Sequence, residues 1–147
     1  MKGLVLIATV AGLLAGPLAR AQQASQFDGY VVHYNTLNTN QLTPQVAQSY
    51  GMQRSASRAL LNITVIREDG RYGGQAISAR IEASAKNLTG QRRDIEMREI
   101  REGEDAIYHI GVFRVRNLET LDFTVRVWPE GAAQALELAF RQQFYTE

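Results

Sequence analysis

The segment AISARIEASAK, Ala76 to Lys86, alternates apolar and polar residues without a break. Ile77, Ala79, Ile81, Ala83 and Ala85 share one side; Ser78, Arg80, Glu82, Ser84 and Lys86 share the other. A period of two is the side-chain period of a β-strand with one face on a core and the other in water. Wound as a helix, the same residues would scatter their apolar groups around the axis. The chain must therefore build a sheet that is dry on one face, which is the habit of antiparallel sheets.

Six further segments carry strand signals. YVVHYN (Tyr30–Asn35) is rich in β-branched and aromatic residues. ALLNITVI (Ala59–Ile66) alternates through Ala59, Leu61, Ile63 and Val65, and LDFTVRVW (Leu121–Trp128) through Leu121, Phe123, Val125 and Val127. AIYHIGVFRV (Ala106–Val115) is apolar on both faces, as a central strand is, and ALELAFRQQFY (Ala135–Tyr145) sets Leu136, Leu138, Phe140 and Phe144 on one side. RRDIEMREIR (Arg92–Arg101) alternates through Ile95 and Met97 and then slips phase at Ile100, which reads as a β-bulge. Turn chemistry separates these runs: EDGRYGG, NLTGQ, EGED and WPEG. NLTGQ predicts a hairpin between Ala76–Lys86 and Arg92–Arg101, with Gly90 free to take positive φ. About seven short strands at this spacing predict an all-β, immunoglobulin-like antiparallel β-sandwich, with a small closed barrel as the rival architecture.

Residues 1–21 stand apart. Lys2 precedes an apolar run from Gly3 to Leu18, and Ala19-Arg20-Ala21 is a small-x-small cleavage pattern. This is the layout of a secretory signal peptide cut after Ala21, and the run is short for a membrane span. The expectation is a periplasmic protein, with a single sandwich domain from residue 22 to 147 and no membrane span after cleavage. The chain has no Cys, so disulfides and thiolate zinc are excluded. It has 16 Lys+Arg against 15 Asp+Glu. With Lys2 and Arg20 removed the balance turns slightly acidic, so no basic field is left for nucleic acid. The remaining cations are arginine except Lys86, a bias that by itself designates no binding site.

One stretch departs from the strand pattern. VVHYNTLNTNQLTPQVAQSYGM, Val31 to Met52, begins as a strand and passes through Asn and Thr. Thr43-Pro44 then supplies an N-cap and a first-position proline, and Gly51 a left-handed stop, so Pro44–Tyr50 reads as a short helix between the first two strands. Val46 and Tyr50, four apart, predict a helix that closes one end of the sandwich with Tyr50 packed down. Asn35–Leu42 is expected to be largely exposed, with Asn38 and Asn40 of little weight for stability. Two readings of this detour stay open: a plug over the core, or a binding loop on a rigid scaffold.

The motifs VHYN, LTPQVAQSYGMQRS, LLNITV, NLTGQ, REGEDAIYHIG, FRV and ETLDFTV together resemble a domain-of-unknown-function family, number forty-four twenty-six, of secreted Gram-negative proteins. The resemblance covers nearly all of the chain beyond residue 21. It implies a periplasmic immunoglobulin-like sandwich with no known enzymatic activity, and it supplies no catalytic residues.

The residues themselves offer little chemistry. His33 and His109 each sit beside a Tyr in a strand; on neighbouring strands they would meet, with Met52 or Met97 to complete a soft copper site. Their spacing carries no metal signature, and neither cofactor nor metal is expected. There is no Gly-x-Ser-x-Gly elbow and no phosphate loop, and the alternating Asp/Glu and Arg of Arg92–Arg101 read as cross-strand ion pairs. The function expected is therefore a non-catalytic periplasmic binding or adaptor domain. Its partner is an envelope protein or peptide, held by the Asn35–Leu42 loop or by strand addition to an exposed edge. The candidate binding residues are His33, Tyr34, Asn35, Asn38, Asn40, Tyr50 and His109. The alternatives are a metal or enzymatic protein organised around His33 and His109, and a structural subunit of an envelope assembly.

Overall fold

A computed structural model describes residues 23–147; the expected signal peptide lies outside the described residues. The described residues form ten strands and one short α-helix: β1 (Gln23–Phe27), β2 (Tyr30–Asn38), α1 (Pro44–Ser49), β3 (Arg58–Arg67), β4 (Gln75–Ala76), β5 (Ala79–Asn87), β6 (Arg92–Ile95), β7 (Arg98–Glu102), β8 (Ala106–Arg114), β9 (Thr120–Pro129) and β10 (Leu136–Gln143). One sheet runs β1-β2-β3-β8-β7, with β4 also paired to β3; the other runs β10-β9-β5-β6. All pairings are antiparallel.

The residues that the alternation places inward make the core between the sheets. Leu61, Ile63, Val65, Leu121, Val125 and Val127 are fully buried, and Phe123 is 1% exposed. Phe113, Phe123, Phe140 and Phe144 form a connected aromatic cluster, with Phe123 and Phe140 stacked at 4.6 Å between centroids. This is the all-β sandwich that the period-two pattern requires.

The strand count rises from seven to ten because two runs that are continuous in sequence divide between the sheets. Gln75–Ala76 pairs with β3 in the larger sheet, whereas Ala79 onward pairs with β9 in the smaller one. Arg92–Ile95 pairs with β5, but Arg98–Glu102 pairs with β8. The predicted hairpin around Asn87–Gln91 forms, and only Ala83–Lys86 and Arg92–Ile95 take part in it. The phase slip at Ile100 is thus the mark of a strand that changes sheets, not of a bulge. The crossing chain packs on Gly111, where a Cβ would stand 2.6 Å from the Met97 sulfur and 2.7 Å from the Glu96 carbonyl oxygen. The remaining extra strand, β1, is an edge strand of low β propensity.

The helical detour corrects a second expectation. Thr43 caps α1 by accepting from the Val46 N–H, Pro44 opens the helix, and Gly51 follows it with φ +66°. The helix does not close an end of the sandwich. Strand alternation points Leu60 and Ile110 to the outer face of the larger sheet, yet they are only 4% and 3% exposed and stand outside the core cluster. Arg98 faces Ile110 across the ladder, so the bonds of Tyr50 to β7 set α1 over this outer face, and Ala47 of the helix is itself 3% exposed. Tyr50 is only partly buried: its hydroxyl donates to Glu102 and its carbonyl accepts from Arg98, both on β7. A six-residue helix has no room for a wide apolar stripe, so the small Ala47 makes the close approach while Val46 remains 36% exposed.

The Asn-rich approach is not a loose loop either. β2 stays paired with β3 through Asn38↔Ala59, and Thr36 is buried. A 3-10 turn at Thr39–Gln41 follows. Thr39 is fully buried; its hydroxyl meets the carbonyls of Gln53 and Ser55 and accepts from the Ser55 N–H.

Candidate functional site

Facing residues in a ladder share a face, which settles where the two histidines point. His33 pairs with Thr64 and His109 with Ile63, adjacent residues of β3 whose side chains leave on opposite faces. His33 is therefore on the outer face of the larger sheet, beside a cavity of about 750 Å³ that Val31, Ile66 and the exposed Tyr72 also line. His109 is inside, 3% exposed. The two do not meet, and the metal site that their meeting would make is not formed. Among the described residues no group of three or more His, Asp or Glu is placed to hold a metal ion.

The other candidate residues also scatter. Tyr34 is a core residue, with its ring 4.6 Å from that of Phe140. Asn35 faces Asn62 across the β2–β3 ladder on the outer face, and the Oδ1 of each is buried without a hydrogen-bond partner. Asn38 is a structural tie: its Nδ2 donates to the Ala56 carbonyl at 3.2 Å and to the Tyr145 carbonyl at 2.7 Å, which argues against silence in stability. Asn40 is exposed, and its carbonyl accepts from Arg54. The carboxylate of Glu102 beside the Tyr50 phenol pushes that hydroxyl up to about 12.

What the fold does bring together lies where the two strands change sheets. His109, on β8, accepts the N–H of Ala79, the first residue of β5, at 3.3 Å through Nε2. Its Nδ1 lies 3.3 Å from the Ile63 carbonyl, to which it donates. One imidazole thus links the larger sheet to the start of β5 in the smaller one. Burial pushes its pKa down, so the neutral ring is the resting form. Around it, Arg101 donates to the Ser78 hydroxyl at 2.6 Å and to Glu99 at 3.1 Å. Glu99 stands 3.7 Å from His109 Nε2. The Ser78 hydroxyl first, and Arg101 after it, hold the Glu99 carboxyl below the usual range. Ser78, His109 and Glu99 are the residue types of a nucleophile, a base and an acid. Both ring nitrogens of His109 are nevertheless committed to backbone groups, so no base is free to take a proton from Ser78.

The same crossing leaves part of an edge open. β9 covers β5 from Ala79 to Asn87, but β6 covers only Ala83 to Lys86. Peptide groups alternate sides along a strand. The Ser78 carbonyl faces β9, where it accepts from the Glu130 N–H. The groups of Ala79 and Ile81 therefore face the other way; His109 takes the Ala79 N–H, and the N–H and C=O of Ile81 meet no strand. Beside them lies a cavity of about 820 Å³ whose lining includes Ile81, Ile95 and Met97. Sequence reasoning missed this notch; its one signal is the phase slip at Ile100.

A DUF4426 family protein from Pseudomonas aeruginosa PAO1 has a crystal structure that is 32% identical to this chain, with a TM-score of 0.74 over 88% of this chain and 99% of that one. FetP of uropathogenic E. coli strain F11, expressed in the periplasm, shares the fold at 11% identity and a TM-score of 0.60, over 85% of this chain and 94% of its own. A copper-bound variant of FetP matches at 11% identity and 0.59, over 84% and 95%. Among curated proteins none matches this chain. The family model described as Domain of unknown function (DUF4426) matches residues 24–147, and the chain belongs to that family.

Proposed function

We propose that this chain is a non-catalytic binding or adaptor domain of the periplasm, and that it takes an extended segment of an envelope protein along the open half of the β5 edge. The observation that carries the reading is the notch itself. An unpaired Ile81 peptide group offers main-chain hydrogen bonds, and the cavity beside it offers Ile81, Ile95 and Met97 within a mostly charged lining to alternate side chains. Main-chain pairing for affinity and side pockets for specificity are the two elements of strand addition. β10 is also an edge strand of this sheet and serves as the comparison. The saturated imidazole of His109 favours binding over catalysis. The N-terminal sequence layout supports the periplasmic setting, and the fold is one that also serves FetP. Copper, which a FetP variant binds, has weaker support here, because His33 and His109 lie on opposite faces of their sheet.

The test is site-specific photo-crosslinking in the periplasm from Glu82, compared with Ala139 on β10. The reading expects a discrete adduct from Glu82 that Ile81→Lys abolishes. It further expects slowed hydrogen exchange at the Ile81 amide once the captured segment is added as a synthetic peptide. Adducts of equal yield from both positions, or protection confined to α1, would refute strand addition.

A further inference from the structure

Thirteen arginines fall within the described residues. Ten have an acceptor for the guanidinium: a carboxylate for Arg71, Arg80, Arg92, Arg93, Arg101, Arg126 and Arg141, a backbone carbonyl for Arg54 and Arg98, and the Gln75 amide for Arg67. Three have none among the described residues: Arg58, Arg114 and Arg116. All three line a single cleft of about 550 Å³, together with Arg54 and Arg93.

The fold concentrates this charge at a cost. Arg58 and Arg114 face each other directly across the β3–β8 ladder, and like charges at facing positions repel. The carboxylate nearest the group, Glu119, is already committed. It accepts from Arg93 through both oxygens, at 2.6 and 2.7 Å, and from the Arg116 N–H. Arg54 is fixed by the carbonyls of Asn40 and Leu42. Two walls of the cleft are therefore set, while three guanidinium forks stay free. Ser55 and Ser57, on the same wall, add hydroxyl donors.

We propose that this cleft binds a phosphoryl group, as a phosphate ester or diphosphate. Arginine forks match phosphate oxygens bidentately. A single carboxylate carries one charge and would leave most of the repulsion in place. A phosphate monoester carries roughly 1.5 to 2 negative charges near pH 7 and three acceptor oxygens. The cleft is much larger than one phosphate, so the group enters together with the molecule that bears it. That bearer is either a soluble phosphorylated compound or a lipid whose headgroup is a phosphate monoester. The site stands on different residues from the β5 notch and is independent of strand addition.

The experiment is isothermal titration of pyrophosphate into the full domain at low ionic strength. Two variants of equal charge loss accompany it, Arg58→Gln/Arg114→Gln/Arg116→Gln and Arg80→Gln/Arg92→Gln/Arg126→Gln. The proposal expects the second variant to bind like wild type and the first to bind at least about tenfold more weakly, with circular dichroism showing both folded. Co-sedimentation with phosphatidylcholine vesicles, with and without phosphatidate, tells the sources apart. Phosphatidate-dependent sedimentation that pyrophosphate reverses assigns a headgroup; pyrophosphate binding without sedimentation assigns a soluble compound. Equal weakening in the two variants would show only diffuse attraction and overturn the proposal. So would an acidic peptide that binds as tightly as pyrophosphate, or no heat of binding at all.

Discussion

The outer face of the smaller sheet and the cleft at the β3–β8 end are built from the same cation and use it in opposite ways. On the sheet, arginines lie in closed pairs: Arg80 with Glu82, Arg92 with Asp94, Arg126 with Glu137 and Arg141 with Asp122. The guanidinium groups of Arg80 and Arg126 lie over the Trp128 ring, 3.7 and 4.9 Å from its centroid. At the cleft Arg58, Arg114 and Arg116 have no such partners. Exposed pairs stabilise a fold by little, roughly 0.2–1 kcal/mol each, so the paired face does not hold the sandwich together. What pairing does is neutralise a surface, which leaves charge available only where partners are withheld. A near-neutral chain can in this way carry a strongly polarised end.

The comparison is sharpest at Arg93, which lines the cleft yet is paired. Its side chain is 21% exposed and that of Glu119 10%. Replacing Arg93 by Ala leaves a mostly buried carboxylate without its cation, and the account expects a loss of about 2 kcal/mol in urea melts, between the surface and buried limits. The pH dependence has a definite sign. The Arg93 guanidinium holds Glu119 below the usual carboxylate range. The contribution of Glu119 is therefore fully present above the ordinary glutamate value of about 4.3, and it is lost as pH falls through the depressed folded value. Arg93→Ala should flatten that acid limb; an unchanged limb would mean that the pair is not the cause.

Next in size is Asn38→Ala, which removes the two carbonyl ties beneath the rim of the cleft. A loss of about 1 kcal/mol is expected. Wild-type stability in this variant would mean that the rim is not held in place in advance of any ligand. On the paired face, Arg126→Gln should shift stability by no more than about 0.5 kcal/mol. A larger loss would make the paired face structural and erase the contrast.

The sequence displays some of this and conceals the rest for physical reasons. Strand identities and inward residues are legible because a period of two is local, and Leu121, Phe123, Val125 and Val127 are all buried as their alternation requires. The helix is legible because Thr43, Pro44 and Gly51 act on their immediate neighbours. Alternation says which side is dry, not which sheet a residue joins, so the crossings at Ile77–Ser78 and Glu96–Met97 are hidden in runs that look continuous. The place of α1 is hidden too, because only the β3–β8 register reveals Leu60 and Ile110 as outward residues in need of cover. The cleft is the extreme case. Arg58 and Arg114 are far apart in sequence and become neighbours only through that register, so neither composition nor net charge betrays them.

The cleft arginines are held against the interest of the fold, and Arg114→Gln tests this most directly. The measurement is the urea midpoint of this variant against wild type, at low and at high salt. Removing one member of a facing like-charge pair should raise stability by a few tenths of a kcal/mol at low salt. The gain should shrink at high salt as the repulsion is screened. A midpoint that falls below wild type by more than that of Arg126→Gln, and does so at both salt concentrations, would show that Arg114 serves the fold itself and would contradict the account.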